Sequence, residues 1–139
     1  MLCTTQGLTL EENVRKEGAE EAGVDAALAA KATSTGCLAF MTAKSDGSCM
    51  KQSLYFVWDL EVPSSWKPMA VDGEVAAFKL FSLKALEHEV RSDLGLLRPS
   101  MRSVITDFLI RHGAISPDSE PDYINIVAAL HREKLVLVP

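Results

Sequence analysis

Cysteine is scarce in this sequence of 139 residues, which contains only Cys3, Cys37 and Cys49. An odd number of cysteines with no close pair argues against a disulfide framework and suits a reducing compartment. Their spacing does not match that of zinc ligands, so we do not expect a structural zinc site. The cysteine content therefore favours a cytoplasmic location by default.

The sequence also lacks an excess of positive charge and long apolar runs. Lysine and arginine together number 14 against 19 aspartate and glutamate residues, which gives a formal net charge of −5. Domains that bind nucleic acid carry a basic face, so this balance argues against nucleic acid as a partner. No apolar run approaches the roughly 20 residues that cross a membrane, so no membrane partner is expected. One domain's length is still enough to bury a sizeable core.

What the sequence does contain is a group of carboxylates near its start, at Glu17, Glu20 and Glu21. Their i, i+3 and i+4 spacing puts them on one face of a helix, where they can close on a hard cation such as Mg²⁺ or Mn²⁺. Without a cation, like charges at this spacing repel by roughly 0.2–0.5 kcal/mol per pair. The alternative is a solvated acidic helix end. Spacing alone favours that alternative, because short acidic motifs are common.

Local signals predict the helix that this geometry needs, over residues 10–22. Thr9 and Glu12 form a Thr-x-x-Glu capping box at its start, and Gly23 lies where a left-handed C-cap is expected. Gly18 lies inside the helix, where glycine costs about 1 kcal/mol relative to alanine. A glycine at this position allows another group to approach the backbone closely.

Three later segments are predicted to be strands, at residues 37–42, 52–60 and 74–81. Asp46-Gly47 is a hairpin signal between the first two. Tyr55, Phe56 and Trp58 alternate along the second strand, so at least one ring is expected in the core. A ring that stacks on a substrate heterocycle is the less favoured alternative.

Four further helices are predicted from their N-caps and first turns. They cover residues 25–31, 82–91, 99–112 and 121–132, and an apolar tail at 135–138 is either a strand or frayed. Strands interleaved with helices predict a layered α/β fold rather than a helical bundle.

Several motifs, in order along the chain, resemble the Nudix hydrolase family. The first, Lys16-Glu17-Gly18-Ala19-Glu20-Glu21-Ala22-Gly23-Val24, resembles the core of the Nudix box, Arg-Glu-apolar-x-Glu-Glu-x-Gly-apolar. Residues 7–17, 72–78 and 107–113 resemble the branch related to the thiamine-pyrophosphokinase-associated Nudix domain. The resemblance extends from about residue 7 to about residue 132.

The sequence departs from the family pattern at several positions. Lys16 replaces the arginine of the box, Gly18 replaces an apolar residue, and the Gly-Gly that opens the box falls on Leu2 and Cys3. The strands that precede the box in the family are expected to be absent. The resemblance therefore implies a partial Nudix domain over residues 1–139, an α/β/α sandwich with a mixed sheet that lacks those strands.

The resemblance also implies a catalytic metal site. Glu17, Glu20 and Glu21 would bind Mg²⁺ or Mn²⁺, and Glu20 and Glu21 would take part in catalysis. Glu74, which follows the Asp72-Gly73 turn, would be a further metal ligand or a general base. The alternative for Glu74 is a surface turn residue, because Asp-Gly turns are common.

Three other residues are given supporting roles by the resemblance. Lys16 would orient a metal-binding glutamate, although lysine lacks the bidentate geometry of arginine. Gly23 would be structural. Arg98 falls where this branch has a lysine near the active site and is a candidate for substrate binding.

The implied activity is hydrolysis of a diphosphate bond in a small molecule. Thiamine diphosphate or its oxidised forms come first, and ADP-ribose or oxidised guanine nucleotides come second. The alternatives are a truncated, weakly active or inactive domain that serves as an interaction module, and a metal-independent binding domain. An incomplete sheet predicts self-association through its exposed edge. A plastid location is expected only if a longer form carries a leader.

Overall fold

The structure, a computed structural model, describes residues 7–43, 50–92 and 97–131. Within these ranges the strands β1 and β2 pair in an antiparallel two-stranded sheet, accompanied by five helices. In chain order the elements are α1 (Leu10–Ala22), α2 (Ala26–Ala29), β1 (Thr33–Ala43), β2 (Met50–Asp59), α3 (Leu83–Arg91), α4 (Pro99–Arg111) and α5 (Tyr123–Leu130). This mixture of helix and strand confirms the α/β class.

The first helix, α1, begins and ends where its caps predict. The Thr9 hydroxyl accepts the Glu12 N–H at 3.2 Å, and the Glu12 carboxylate accepts the Thr9 N–H at 2.8 Å. The Thr9 hydroxyl also donates to the Glu12 carboxylate at 2.8 Å. The hydrogen bond from the Thr9 backbone N–H first, and then that from the Thr9 hydroxyl, lower the pKa of the Glu12 carboxyl below its ordinary value. Gly23 ends the helix with φ of 67°, a left-handed conformation that glycine adopts without strain. The predicted helix is therefore confirmed.

The described residues divide into two compact units. The first contains residues 7–36 and 55–80, and the second contains residues 37–43, 50–54, 81–92 and 97–131. The core of the first unit is formed by Val24, Leu28 and Ala29. Partly buried side chains pack against this core, namely Ala22, Leu60, Val62 and Trp66. Leu28 and Ala29 of α2 thus share a core with Val24, which follows the C-terminal end of α1.

In the second unit, α3 packs against α4, and Leu109 of α4 is completely buried. The Leu109 carbonyl accepts the N–H groups of Ala114 and Ile115 at 2.9 and 3.2 Å. Gly113, with φ of 72°, provides the left-handed turn that folds the chain back after the helix. Ile115 is also buried, so the turn after α4 packs an apolar side chain into the core of the second unit.

A buried carboxylate ties α3 to the turn that precedes α5. Glu120 accepts the Asp122 N–H at 3.0 Å and a hydrogen bond from the Arg91 guanidinium at 2.7 Å. The pKa of the Glu120 carboxyl is lowered below its ordinary value of 4.5. The main cause is the hydrogen bond from the Asp122 N–H, and the second is the hydrogen bond from the Arg91 guanidinium. Hydrogen bonds to the carboxylates of Glu120 first and Glu87 second raise the pKa of the Arg91 guanidinium.

This contact predicts a loss of stability in acid. A depressed folded-state pKa stabilises the native state above the ordinary pKa of the carboxyl, and the stabilisation is lost as pH falls through the folded-state value. Glu120→Gln should therefore unfold at lower urea concentration than the parent at pH 7, and the difference should shrink between pH 5 and pH 3. Asp118→Asn, which removes an exposed carboxylate nearby, is the matched control and should follow the parent. A gap between Glu120→Gln and the parent that stays constant with pH would contradict this account.

The predicted strand at residues 74–81 is wrong. These residues carry no regular secondary structure, and all but Val75 are exposed, with Leu80 completely so. Among the described residues the sheet contains β1 and β2 only. A strand is defined by pairing with a neighbour, so the apolar and β-branched content of 74–81 does not make it a strand on its own.

Smaller differences have local causes. The α2 helix ends at Ala29 rather than at residue 31. The last helix begins at Tyr123 rather than at Pro121, because the Glu120 carboxylate takes the Asp122 N–H and holds a turn there. The predicted Asp46-Gly47 turn and the 135–138 tail lie outside the described residues. In the described parts of the chain, no helix has the length and apolar character needed to span a bilayer.

Candidate functional site

The α1 helix places the three predicted carboxylates on one face, as their spacing requires. Lys16 lies among them, with its Nζ atom 2.6 Å from Glu20 Oε2 and 3.9 Å from Glu17 Oε1. The hydrogen bond to Glu20, followed by the charges of Glu20, Glu17 and Asp72, raises the pKa of Lys16. The ammonium group is therefore fully charged at neutral pH and offsets the repulsion between two of the carboxylates.

The donor chemistry of this face fits a divalent cation. Glu17 is partly shielded, with 28% of its side chain exposed, whereas Glu20 is 47% exposed and Glu21 is also exposed. Carboxylate oxygens are the ligands that Mg²⁺ and Mn²⁺ prefer. Across the part of the chain that the structure describes, no three Asp, Glu, His or Cys side chains converge closely enough to hold a metal ion. A metal ion held by Glu17, Glu20 and Glu21 would therefore require new rotamers of these side chains.

A second segment of the first unit lies against the C-terminal end of α1. The Met69 N–H donates to the Ala22 carbonyl at 3.0 Å, so residues 69–72 run beside the helix end. A Cβ at Gly23 would lie 3.3 Å from the Met69 carbonyl oxygen and 3.8 Å from Val71. Gly23 thus serves two purposes, because it ends α1 in a left-handed conformation and permits this close approach.

This packing introduces a carboxylate that sequence reasoning missed. The negative charge of Asp72 is among those that raise the Lys16 pKa. Asp72 Oδ1 also accepts the Glu74 N–H at 3.0 Å, which fixes the turn that carries Glu74. The signal was present in the Asp72-Gly73-Glu74 motif, but only the tertiary structure associates Asp72 with Lys16.

Glu74 and Arg98 are the remaining predicted site residues. Glu74 lies on an exposed turn rather than at the start of a strand. Arg98 belongs to the second unit, where it occupies the N-cap position of α4 and is exposed. The structure thus brings Lys16, Glu17 and Glu20 into direct contact, and it ties Glu74 to Asp72.

Comparison with known proteins identifies relatives over most of the chain. No protein-family model matches the sequence. The chain is 36% identical to Nudix hydrolase 24, chloroplastic, of Arabidopsis thaliana over 124 residues, which are 89% of this chain and 33% of that protein. It is 34% identical over 113 residues to Nudix hydrolase 20, chloroplastic, of the same plant, covering 81% of this chain and 29% of that protein. An uncharacterised protein of Saccharomyces cerevisiae is 33% identical over 131 residues, which are 87% of this chain and 38% of that protein.

The fold and the site define an α/β protein whose candidate centre is a helix with three carboxylates on one face. With these relatives, the chain belongs to the Nudix hydrolase family, which confirms the family predicted from the motifs. The chain spans about a third of the length of the relatives it matches. Nudix hydrolases generally depend on divalent metal ions and act on small molecules.

Proposed function

We propose that this chain forms the metal-binding part of a Nudix pyrophosphohydrolase, which hydrolyses a diphosphate bond in a small molecule with Mg²⁺ or Mn²⁺. The family relationship supports the reaction class. The observation that carries the proposal is the face of α1, where Glu17 and Glu20 already share one cation, the Lys16 ammonium. A face that gathers carboxylates around a positive charge is chemically suited to a metal ion.

Each residue of the candidate site has a proposed role in metal binding, proton transfer or orientation. Glu17, Glu20 and Glu21 would hold the ion, which neutralises charge on the diphosphate and lowers the pKa of the attacking water. Glu74, or whichever glutamate of the helix is not committed to the ion, would accept the proton from that water. Lys16 would orient Glu20 through its hydrogen bond.

Supporting roles follow from the surrounding contacts. Gly23 would be structural, because its lack of a side chain lets the 69–72 segment pack against the end of α1 near Met69. Arg98 stays a candidate for substrate binding, as the family resemblance implies. Residues 1–139 would act together as one domain.

The proposed substrates keep the order implied by the family branch. Thiamine diphosphate or its oxidised forms come first, and ADP-ribose or oxidised guanine nucleotides come second. The names of two relatives contain the word chloroplastic, which supports a plastid location for this chain as well.

An interaction module is the second candidate function. It is favoured by exposed apolar side chains in the 69–80 segment of the first unit, namely Met69, Val71, Phe78 and Leu80. Exposed apolar groups of this kind mark association surfaces, so self-association would accompany this function.

The intact chain can be tested directly. We expect calorimetry to detect Mn²⁺ binding, and we expect Mg²⁺-dependent phosphate release from thiamine diphosphate that EDTA abolishes. ADP-ribose and an oxidised guanine nucleotide serve as comparison substrates. Metal binding without hydrolysis of any of the three would favour the interaction module. The absence of both metal binding and hydrolysis would refute the proposed function.

Lys16 should compete with the metal ion for the same carboxylates. Replacing Lys16 by Met removes a positive charge close to Glu20 and Glu17, so Mn²⁺ affinity should rise about fivefold, as expected for one exposed charge at such a distance. Turnover should fall, because Glu20 loses its orienting contact. Calorimetry and initial rates measure the two effects separately. Arg15→Met removes a neighbouring cation that pairs with Glu11 instead and should leave affinity nearly unchanged. Unchanged or weaker Mn²⁺ binding in Lys16→Met would show that the ammonium does not compete.

A further inference from the structure

The first unit contains a pocket of about 130 Å³ beside the carboxylate face of α1. Val14, Arg15 and Gly18 of α1 form one wall, and Val24, Trp58 and Leu60 contribute to the others. Apart from Arg15, these side chains are apolar. The pocket is thus a small hydrophobic recess with a single cation among its lining residues.

Gly18 makes room for this pocket. A Cβ at Gly18 would meet only Val24, at an ordinary contact distance of 3.7 Å. Glycine in the middle of a helix is unfavourable relative to alanine, and packing does not require it here. The absence of a side chain at position 18 therefore leaves space that a larger residue would occupy.

The size and chemistry of the pocket suit one aromatic ring. An engineered cavity of about 150 Å³ with apolar walls binds benzene, so a recess of this volume holds a ring of that size. Trp58 offers an aromatic surface for an offset or edge-to-face contact. The Arg15 guanidinium pairs with Glu11 through one of its nitrogens, and its remaining N–H groups can bind a ring face or a ring nitrogen.

The position of the pocket connects it to the carboxylates. Gly18 and Glu21 are three residues apart on α1, as are Val14 and Glu17, and residues at this spacing are neighbours on a helix surface. A ring seated over Gly18 would therefore lie within a short linker's reach of a group held at Glu17 and Glu21.

We infer that this pocket binds a single aromatic or heteroaromatic ring, one ring of the organic part of the diphosphate substrate. The link between ring and diphosphate rests on the proposed function, whereas ring binding by itself does not. The pocket accepts one ring because its volume matches that of one ring and its walls are mostly apolar.

Free ring compounds test the pocket without any diphosphate or metal. Pyrimidine and benzene, titrated at millimolar concentrations into the intact chain, should shift the NMR signals of the Trp58 indole to saturation. Cyclohexane, a non-aromatic ring of six carbons, should bind several-fold more weakly. Gly18→Leu, which fills the space over the helix, should weaken binding of both aromatic probes by at least about tenfold. Gly18→Ala is the matched control and should bind within about threefold of the parent.

A second pocket-filling variant distinguishes the loss of the pocket from a folding defect caused by one substitution. Ala32→Leu fills the pocket from another of its lining residues and should have the same effect as Gly18→Leu. Saturable shifts that are lost in both filling variants support the inference. No saturable shift in the parent, or equal binding by the parent and both filled variants, would overturn it. Because these titrations contain no metal and no diphosphate, they give their answer whether or not the chain hydrolyses thiamine diphosphate.

Discussion

Glu20→Gln and Glu21→Gln, made separately in the intact chain, should each lower metal-dependent diphosphate hydrolysis by at least about 100-fold. Glutamine keeps the size of the side chain and its capacity to accept a hydrogen bond, but it removes the negative charge that binds a cation. Loss of a catalytic acid–base or ion-binding group typically costs a factor of 10² to 10⁴ in rate. Phosphate release at saturating Mg²⁺ and calorimetric Mn²⁺ titration measure the two losses.

The two variants should differ in their effect on Lys16. Glu20 accepts the hydrogen bond from Lys16, so Glu20→Gln removes the main cause of the raised Lys16 pKa, whereas Glu21→Gln leaves that contact in place. Glu11→Gln is the matched control, because it removes the same charge from the same helix where the carboxylate pairs with Arg15. Its hydrolysis rate should equal that of the parent. Full activity in both Glu20→Gln and Glu21→Gln, or an equal loss in Glu11→Gln, would refute the metal helix as the catalytic centre.

The second large effect concerns stability. Leu109→Ala should lower the free energy of unfolding of the second unit by about 2–5 kcal/mol, because truncating a buried leucine loses apolar contacts and leaves a cavity. Leu109 is 0% exposed, and its carbonyl anchors the turn through Ala114 and Ile115. Urea denaturation followed by circular dichroism measures the change.

Ile124→Ala provides the control for this measurement. Ile124 on α5 is 80% exposed, so its truncation should change the free energy of unfolding by no more than about 0.5 kcal/mol. Similar unfolding midpoints for Leu109→Ala and Ile124→Ala would mean that Leu109 does not lie in the core of the second unit.

The helices were the most predictable part of the fold. The Thr9 and Glu12 capping box and the Gly23 C-cap together defined both ends of α1 from sequence alone. Ser82 likewise caps α3 by accepting the Ala85 N–H, and Pro99 begins α4 as predicted. Such caps involve atoms a few residues apart, so local sequence is sufficient to specify them.

The 74–81 segment shows where sequence patterns were insufficient. Phe78, Leu80 and Phe81 have the composition of a strand, yet they are exposed and unpaired with the β1–β2 sheet in the described part of the chain. Strand formation depends on a partner that is distant in sequence, and local composition carries no information about whether that partner is in place. The same limit applies to Glu74, whose predicted position depended on this strand.

In the candidate site too, some features follow from local sequence and others from tertiary packing. The sequence by itself determined which carboxylates share a face of α1, because helix geometry relates residues three and four apart. Only the tertiary structure decided that residues 69–72 lie against the helix end, that Asp72 acts on Lys16, and that Trp58 joins Gly18 around a pocket. These relationships join residues about 40 or more positions apart, and they arise from packing and hydrogen bonds that no local pattern specifies.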